Sequence, residues 1–262
     1  MQHTTDSQAA HTPPSLHLQE LSWPQVGAAI EAGYRTAIFA VGATEQHGPQ
    51  LPLLVDAEIG TDLAHRVAVK LGSTLVAPTI RVGCSEHHMR FAGTLTVREE
   101  TLEALVTDYC TSLERHGFNE ILLIPSHGGN FAPLQSMLPR LRAALDGATR
   151  VEAFHDLEGL VACWRRAIDA AGGPSENVGG HADIAESSIL LTLTPHLVDE
   201  SKAEAGYKGD TTAETFRRIL ADGLHTVTPN GILGDARGMT AELGERCQEA
   251  ASELIQASFR RD

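Results

Sequence analysis

Apolar positions along this chain recur with two alternating periods. In LSWPQVGAAIEAGY, residues 21–34, Trp23, Val26, Ala29 and Ile30 fall at helical spacing and Gly33 closes the segment, which predicts a short helix. TAIFAV, residues 36–41, is a brief uninterrupted apolar run of the kind that forms a buried parallel strand. The two periods then repeat. A helix is predicted over 57–72, a strand in TLVAP (74–78), a longer helix over 98–117 and a strand in EILLIP (120–125). A helix follows over 131–145, then a strand in RVEAF (150–154) and a helix over 157–173. Strands alternating with helices of this length imply right-handed crossovers. The expected fold is therefore α/β, a three-layer αβα sandwich with a mostly parallel central sheet.

The ends of this pattern are less regular. Residues 1–16 are polar and rich in Thr, Ser, His and Pro, so they read as a loose tail, leaving 17–262 as one domain. Residues 195–238 are rich in Gly and Thr and predict no element; they are a candidate for reaching over a neighbouring subunit.

With 262 residues and 42% hydrophobic content, the chain is long enough to bury a large core. Its 34 acidic against 20 basic side chains, a formal charge of -14, argue against nucleic acid or an anionic membrane surface as partner and favour a small-molecule substrate or a protein partner. No apolar stretch approaches the roughly 20 residues of a spanning helix. Cys84, Cys110, Cys163 and Cys247 form no CxxC pair, so neither a zinc ribbon nor a thioredoxin-like motif is present, and a reducing cytoplasm suits them.

The chemistry concentrates where predicted strands end. TEQHGPQLPLLVD (44–56) follows the first strand and SHGGN (126–130) follows EILLIP, and in a doubly wound sheet ligands bind beyond the carboxyl ends of strands. If residues 44–47 stay extended, Glu45 and His47 point to one side and Gln46 to the other. Gly48-Pro49 offers a turn that returns Asp56, and Gly128-Gly129 allow close backbone approach beside His127. GGHADIAESSILLTL (179–193) adds His181 and Glu186 at the mouth of an apolar helix. This mixed nitrogen and oxygen set suits Zn, Mn or Fe(II) better than Ca, and a carboxylate such as Asp56 could bridge two ions that hold a water as nucleophile.

Structural readings stand beside these. Glu45 and His47 as an isolated pair are as compatible with a packing role as with a ligand role. Asp183 and Glu186 match a capping box, which would make Glu186 a helix cap, and Gly128-Gly129 suits an ordinary turn. His65, His116, His196 and His225 read as surface or packing residues, and His3, His11 and His17 as part of the tail or its junction. Glu99 and Glu100 would favour the positive end of their helix.

Together, VGATEQHGPQLPLLVD, SEHHMRFAGTLTV, SHGGN, HADIAESS and GILGDARGMTAELGE resemble, in order, the motifs of the creatininase (creatinine amidohydrolase) family, from about Leu18 to the C-terminus. The resemblance implies a metal-dependent hydrolase of carbon-nitrogen bonds with two divalent ions per chain, zinc and/or manganese with iron as a third option, and a homohexamer built as a trimer of dimers. It implies Glu45 and His127 on one metal, His47 on the other, Asp56 between them, and His181 as the acid/base that serves the departing nitrogen. In creatininase a Glu stands two residues after the metal-bound His; Gly129 occupies that place here, and Glu186 would take over as ligand. Ser85, His88 and Gly128 would line the substrate pocket. Creatininase closes its pocket with a Tyr after that His and with a Trp near the catalytic His; this chain has Gly128 in the first place and no Trp after Trp164. The implied activity is hydrolysis of a small, possibly cyclic amide by a metal-bridging hydroxide, with a peptidase or deformylase of a biosynthetic pathway as the alternative and a non-catalytic metal-binding subunit as a third reading.

Overall fold

The computed structural model describes residues 12–209 and 213–260, so the predicted tail lies outside the described residues up to His11. The middle layer is a sheet of four parallel strands, β1 (Thr36–Val41), β2 (Thr74–Val76), β3 (Glu120–Pro125) and β4 (Arg150–Ala153), in the order β2-β1-β3-β4. The helices are α1 (Trp23–Glu31), α2 (Val55–Leu71), α3 (Glu99–Arg115), α4 (Phe131–Ala144), α5 (Leu157–Ala170), α6 (Ile184–Leu193), α7 (Ala213–Asp222) and α8 (Ala241–Phe259). Strand alternation sorts the core into two halves. Ile38, Val76, Leu122 and Ile124 face α2, α5, α6 and α8, whereas Ala37, Phe39, Val41, Leu75, Ile121 and Leu123 face α1, α3 and α4. Full burial of a side chain such as Phe39 or Ile121 contributes about 1.5–3 kcal/mol. The sheet is therefore the rigid frame on which the loops are hung, and it forms the three-layer sandwich that periodicity predicts.

Two stretches differ from expectation for local reasons. TLVAP keeps pairing past Val76, since Ala77 donates to Ile38, but Pro78 has no N–H to continue the ladder and the regular strand stops. The stretch 195–238, for which no element is predicted, contains α7 and a short strand: β6 (Leu233–Gly234) pairs antiparallel with β5 (Val178–His181), and Tyr207 donates to Ile232. At the other end, the Leu16 carbonyl accepts from Val76 and His17 stacks on His65 with ring centroids 5.1 Å apart. His17 thus belongs to the folded body, and His65 is its packing partner.

Among the described residues, no helix is long and apolar enough to cross a membrane. All four cysteines are free thiols.

The strand order places a switch point between β1 and β3. β2 lies on one side of β1 and β3 on the other, so the loops leaving β1 and β3 diverge above a crevice. Gly42 ends β1 against α2; a Cβ there would lie 2.9 Å from the Cα of Ala57, so the bare backbone is what lets α2, with Asp56 in its first turn, reach the strand end. Asn130 fastens the crevice from the β3 side. Its Oδ1 accepts from the Cys84 N–H, and its Nδ2 donates to the carbonyls of Val41 and Gly42, all at 3.0 Å. Asn130 is fully buried, so Asn130→Ala strands the Cys84 N–H and the Gly42 carbonyl without water, while the Val41 carbonyl keeps the Ser126 N–H. An unpaired buried polar group costs about 1–3 kcal/mol. Asn130→Ala is therefore expected to lower stability by at least about 2 kcal/mol, read as a drop in the urea midpoint with an unchanged slope.

Candidate metal centre

Four segments from different parts of the chain meet above the crevice. Glu45 and His47 come from the extended stretch after β1, Asp56 from the first turn of α2, His127 from the end of β3, and His181 and Glu186 from the junction of β5 with α6. All are buried, Glu45 and His47 completely. His127 Nδ1 lies 3.3 Å from Glu45 Oε1 and 3.3 Å from Asp56 Oδ2. His47 Nε2 lies 3.2 Å from Asp56 Oδ1 and 3.7 Å from Glu186 Oε2. Donor atoms about 2.1 Å from a tetrahedral ion are separated by about 3.4 Å, so both groups have the spacing of a ligand shell. Asp56 offers one oxygen to each group.

The hydrogen-bonding state of these atoms points the same way. Glu45 Oε1 and Oε2, His47 Nε2 and Asp56 Oδ2 are buried and have no hydrogen-bond partner. Such atoms are normally paired, and four converging at one place demand a cation. The outer nitrogens of the two ligand histidines are already committed. His127 Nε2 donates to the Cys84 carbonyl at 3.1 Å, with Ser85 Oγ 3.3 Å away, leaving a lone pair on Nδ1. His47 Nδ1 donates to the Glu45 carbonyl at 3.2 Å, leaving a lone pair on Nε2. Outer hydrogen bonds of this kind orient metal-bound imidazoles. The residues present therefore fit two divalent ions.

Local structure explains how Glu186 arrives. Asp183, at the N-cap of α6, accepts from the backbone N–H groups of Ala185 and Glu186 through Oδ1 and from those of Gly179 and Gly180 through Oδ2. The capping role belongs to Asp183. Glu186 accepts from the Ala182 N–H at 2.5 Å and also faces His47, so it is not a reciprocal cap for residue 183. Ala182 sits at φ +52°, unusual for a residue with a Cβ, and both its backbone groups are held: the N–H by Glu186 and the carbonyl by Gln50 at 2.8 Å. Gly129 closes the alternative place for a carboxylate, because a Cβ there would stand 2.3 Å from the Cys84 carbonyl oxygen. By contrast, a Cβ at Gly128 would meet nothing within 4 Å.

Without ions, the charges distort one another. Burial pulls the His47 pKa down, but Asp56, Glu186 and Glu45 outweigh it and raise it to about 10. His127 is likewise held well above the usual imidazole range by Glu45 and Asp56 against burial. Burial pushes Asp56 up, but His47 and His127 hold it well below the usual carboxylate range. Glu186 is pushed up to about 8, first by burial and then by Asp183 and Asp56, with His47 opposing. At His181 and His88 burial with neighbouring imidazoles prevails and lowers both well below 6.5, Asp56 and the Gln46 carbonyl opposing it at His181 without offsetting it.

The structure brings Glu45, His47, Asp56, His127, His181 and Glu186 together. His88 joins them, its Nε2 3.5 Å from Glu45 Oε1. Ser85 is fully buried behind His127, where its hydroxyl touches the ring nitrogen turned away from the ions, and Gly128 lies half-buried beside the centre. Sequence reasoning missed Gln46, Asn130 and His87. His87 stacks on His127 with centroids 5.6 Å apart, and burial together with His127 lowers its pKa to about 4. Alternation points Gln46 to the opposite side from Glu45 and His47, and its place between two candidate ligands is the signal in the sequence.

Residues 19–258 match the family model described as Creatininase: Creatinine amidohydrolase. The chain belongs to the creatininase family. It is 32% identical over 225 residues to the mycofactocin precursor peptide peptidase of Mycobacterium ulcerans, covering 83% of this chain and 81% of that one. It is 27% identical over 264 residues to the creatinine amidohydrolase of Pseudomonas putida, covering 95% and 97% of the two chains. The solved structure named Creatininase Mn superposes with a TM-score of 0.76 at 26% identity, over 94% of this chain and 98% of that one. The fold and motif order of this creatininase-family member thus follow the resemblance read from its sequence.

The metal-free protein should carry a distinctive pH dependence. His47 binds its proton more tightly folded than unfolded, so its contribution to stability is whole below pH 6.5 and lost as pH rises toward 10. Glu186 shifts in the same direction between 4.5 and about 8. Melting temperatures of chelator-treated protein are therefore expected to fall steadily from pH 6.5 to 10. Adding zinc, which competes with these protons, should raise and flatten the curve, and Glu186→Ala should bind about one ion fewer per chain by elemental analysis.

Proposed function

We propose that this protein is a two-metal amidohydrolase whose substrate is a peptide or a similarly extended amide. The observation that carries the hydrolase reading is the convergence of unpaired Glu45, His47 and Asp56 atoms on two groups of ligand-spaced side chains, Glu45, Asp56 and His127 in one and His47, Glu186 and His181 in the other, with Asp56 turning its second oxygen to His47 at 3.2 Å. Zinc or manganese suits these donors. When bound, the ions would supply a nucleophilic water at neutral pH and polarise the acyl oxygen.

The protein's own groups do the rest. Glu45, Asp56 and His127 would hold one ion, and His47 and Glu186 the other, with Asp56 offering its second oxygen there. His181, with Nδ1 4.0 Å from Glu45 Oε1, stands at the edge of both. It is placed to accept a proton as the nucleophile attacks and to return it to the departing nitrogen. The open space at Gly128, where creatininase carries a ring that closes over its substrate, supports a substrate longer than creatinine. The 32% identity with a precursor-peptide peptidase supports the same reading.

Chelation should abolish turnover of short peptides and zinc or manganese should restore it. His181→Ala is expected to lower kcat by roughly 10²–10⁴-fold with metal content retained, whereas Asp56→Ala should lose metal as well. Equal metal loss in the two variants would reject this division of roles. Faster turnover of creatinine than of every peptide in a panel would reject the substrate class.

A further inference from the structure

One buried carboxamide touches both histidines that lie outside the ligand pairs. Gln46 Nε2 is 3.1 Å from His88 Nδ1, 2.9 Å from His181 Nε2 and 3.2 Å from the carbonyl oxygen of Gly231. Its orientation is decided by its other end, where Oε1 accepts from the Gly48 N–H at 3.0 Å. Reversing the amide would set oxygen against the Gly231 carbonyl and N–H against N–H at Gly48.

The protons can then be counted. Gln46 Nε2 has two. Gly231 oxygen can only accept, so it takes one. His181 Nε2 also lies 3.0 Å from the Gln46 main-chain carbonyl, which likewise only accepts, so His181 carries its proton on Nε2 and takes none from the amide. The second amide proton goes to His88 Nδ1. That nitrogen is therefore an acceptor, and the ring proton of His88 resides on Nε2, on the side of Glu45 Oε1. At 3.5 Å that contact is long, and Glu45 Oε1 has no hydrogen-bond partner, so the His88 proton is not consumed there.

This count bears on a third group of potential ligands. Glu45, His88 and His181 present donor atoms within 4.8 Å of one another, the spacing of another ion site. A ring protonated on Nε2 has no lone pair to give there. We propose that Gln46 is a positioning residue that holds His88 with its proton on Nε2, turned into the metal centre as a hydrogen-bond donor to the acyl oxygen of the substrate, and thereby keeps a third ion out. The main-chain carbonyl of the same residue, by accepting from Nε2, leaves His181 with its lone pair on Nδ1. One donor and one acceptor then face the centre from rings 4.8 Å apart. The donor role rests on the amidohydrolase reading; the proton's place does not.

Gln46→Glu tests the proton directly, because it replaces the donor with an acceptor of the same shape. Even when protonated it has a single proton, and the Gly231 carbonyl takes it. In ¹⁵N NMR of ring-labelled, zinc-loaded protein, with His88→Phe to assign the signal, His88 should be a neutral ring protonated on Nε2, and Gln46→Glu should move that proton to Nδ1. A metal-bound or Nδ1-protonated His88 in the wild type, or an unchanged ring in Gln46→Glu, would overturn the proposal. In kinetics on the best peptide substrate, removal of a transition-state donor costs about 10²–10³-fold in kcat. His88→Phe and Gln46→Leu should each approach that loss with KM little changed and about two zinc per chain. His88→Gln, which keeps a donor at the same reach, should recover part of it, and the double variant should be no worse than either single one. Wild-type kcat in His88→Phe, or losses that multiply in the double variant, would sink the donor role. If the wild type hydrolyses no amide, the peptidase reading fails, and the NMR result still decides where the His88 proton lies.

Discussion

The structure depends on a pocket of negative charge that the protein cannot neutralise alone. Glu45, Asp56 and Glu186 are all nearly or fully buried within a few ångströms of one another, and two imidazoles turn lone pairs toward them. An isolated ionised carboxylate in a dry interior is too costly to persist without a partner. Without ions the site borrows protons, which raises His47 and Glu186 and depresses Asp56. Divalent cations would do the same task with more charge and no loss of lone pairs. The ligand atoms are thereby held ready in the fold, and metal binding completes an arrangement that the surrounding hydrogen bonds already define.

Those hydrogen bonds lie outside the centre and run largely to backbone. The carbonyl of Cys84 orients His127, the carbonyl of Glu45 orients His47, Asn130 ties the ends of β1 and β3 to residues 83–85, and Gln50 and Glu186 hold the unusual backbone at Ala182. Backbone partners are set by chain path, so the precision of the site comes from the sheet and its two apolar faces. Gly42 and Gly129 show the constraint from the other side. At Gly42 a missing Cβ admits α2 and its Asp56; at Gly129 the same absence leaves room for the Cys84 carbonyl and excludes a carboxylate that would compete with Glu186.

Much of the fold was legible because burial imposes a period. TAIFAV and EILLIP are continuous apolar runs since the sheet is covered on both faces, and the helices between them carry one apolar face each. Within the stretch from 195 to 238, α7 is a helix that the sequence reading passed over, whereas β6 is two residues long and is held with its surroundings by isolated backbone bonds to residues such as Gly234 and Ile232, which leave no periodic trace. Pro78 shortened a strand in a way that local chemistry does explain. His17 read as part of a tail junction because nothing near it in sequence reveals that it stacks on His65.

At the site, alternation in an extended segment was enough to aim Glu45 and His47 together, and the order of the separated motifs was enough to name the family. Those are properties of neighbouring residues and of composition along the chain, and the sequence determines them by itself. Tertiary structure decided the rest: that Asp56 divides its two oxygens between the groups, that Asp183 and not Glu186 caps α6, and that Gln46 reaches two histidines and Gly231 from the far side of its strand. Gln46 acts across 42 to 185 positions, whereas the contacts of Asp56 with His47 and of Asp183 with α6 are closer in sequence and turn on which lone pair and which proton meet. A one-dimensional pattern carries residue type and spacing, and only packing turns them into distance, direction and proton position.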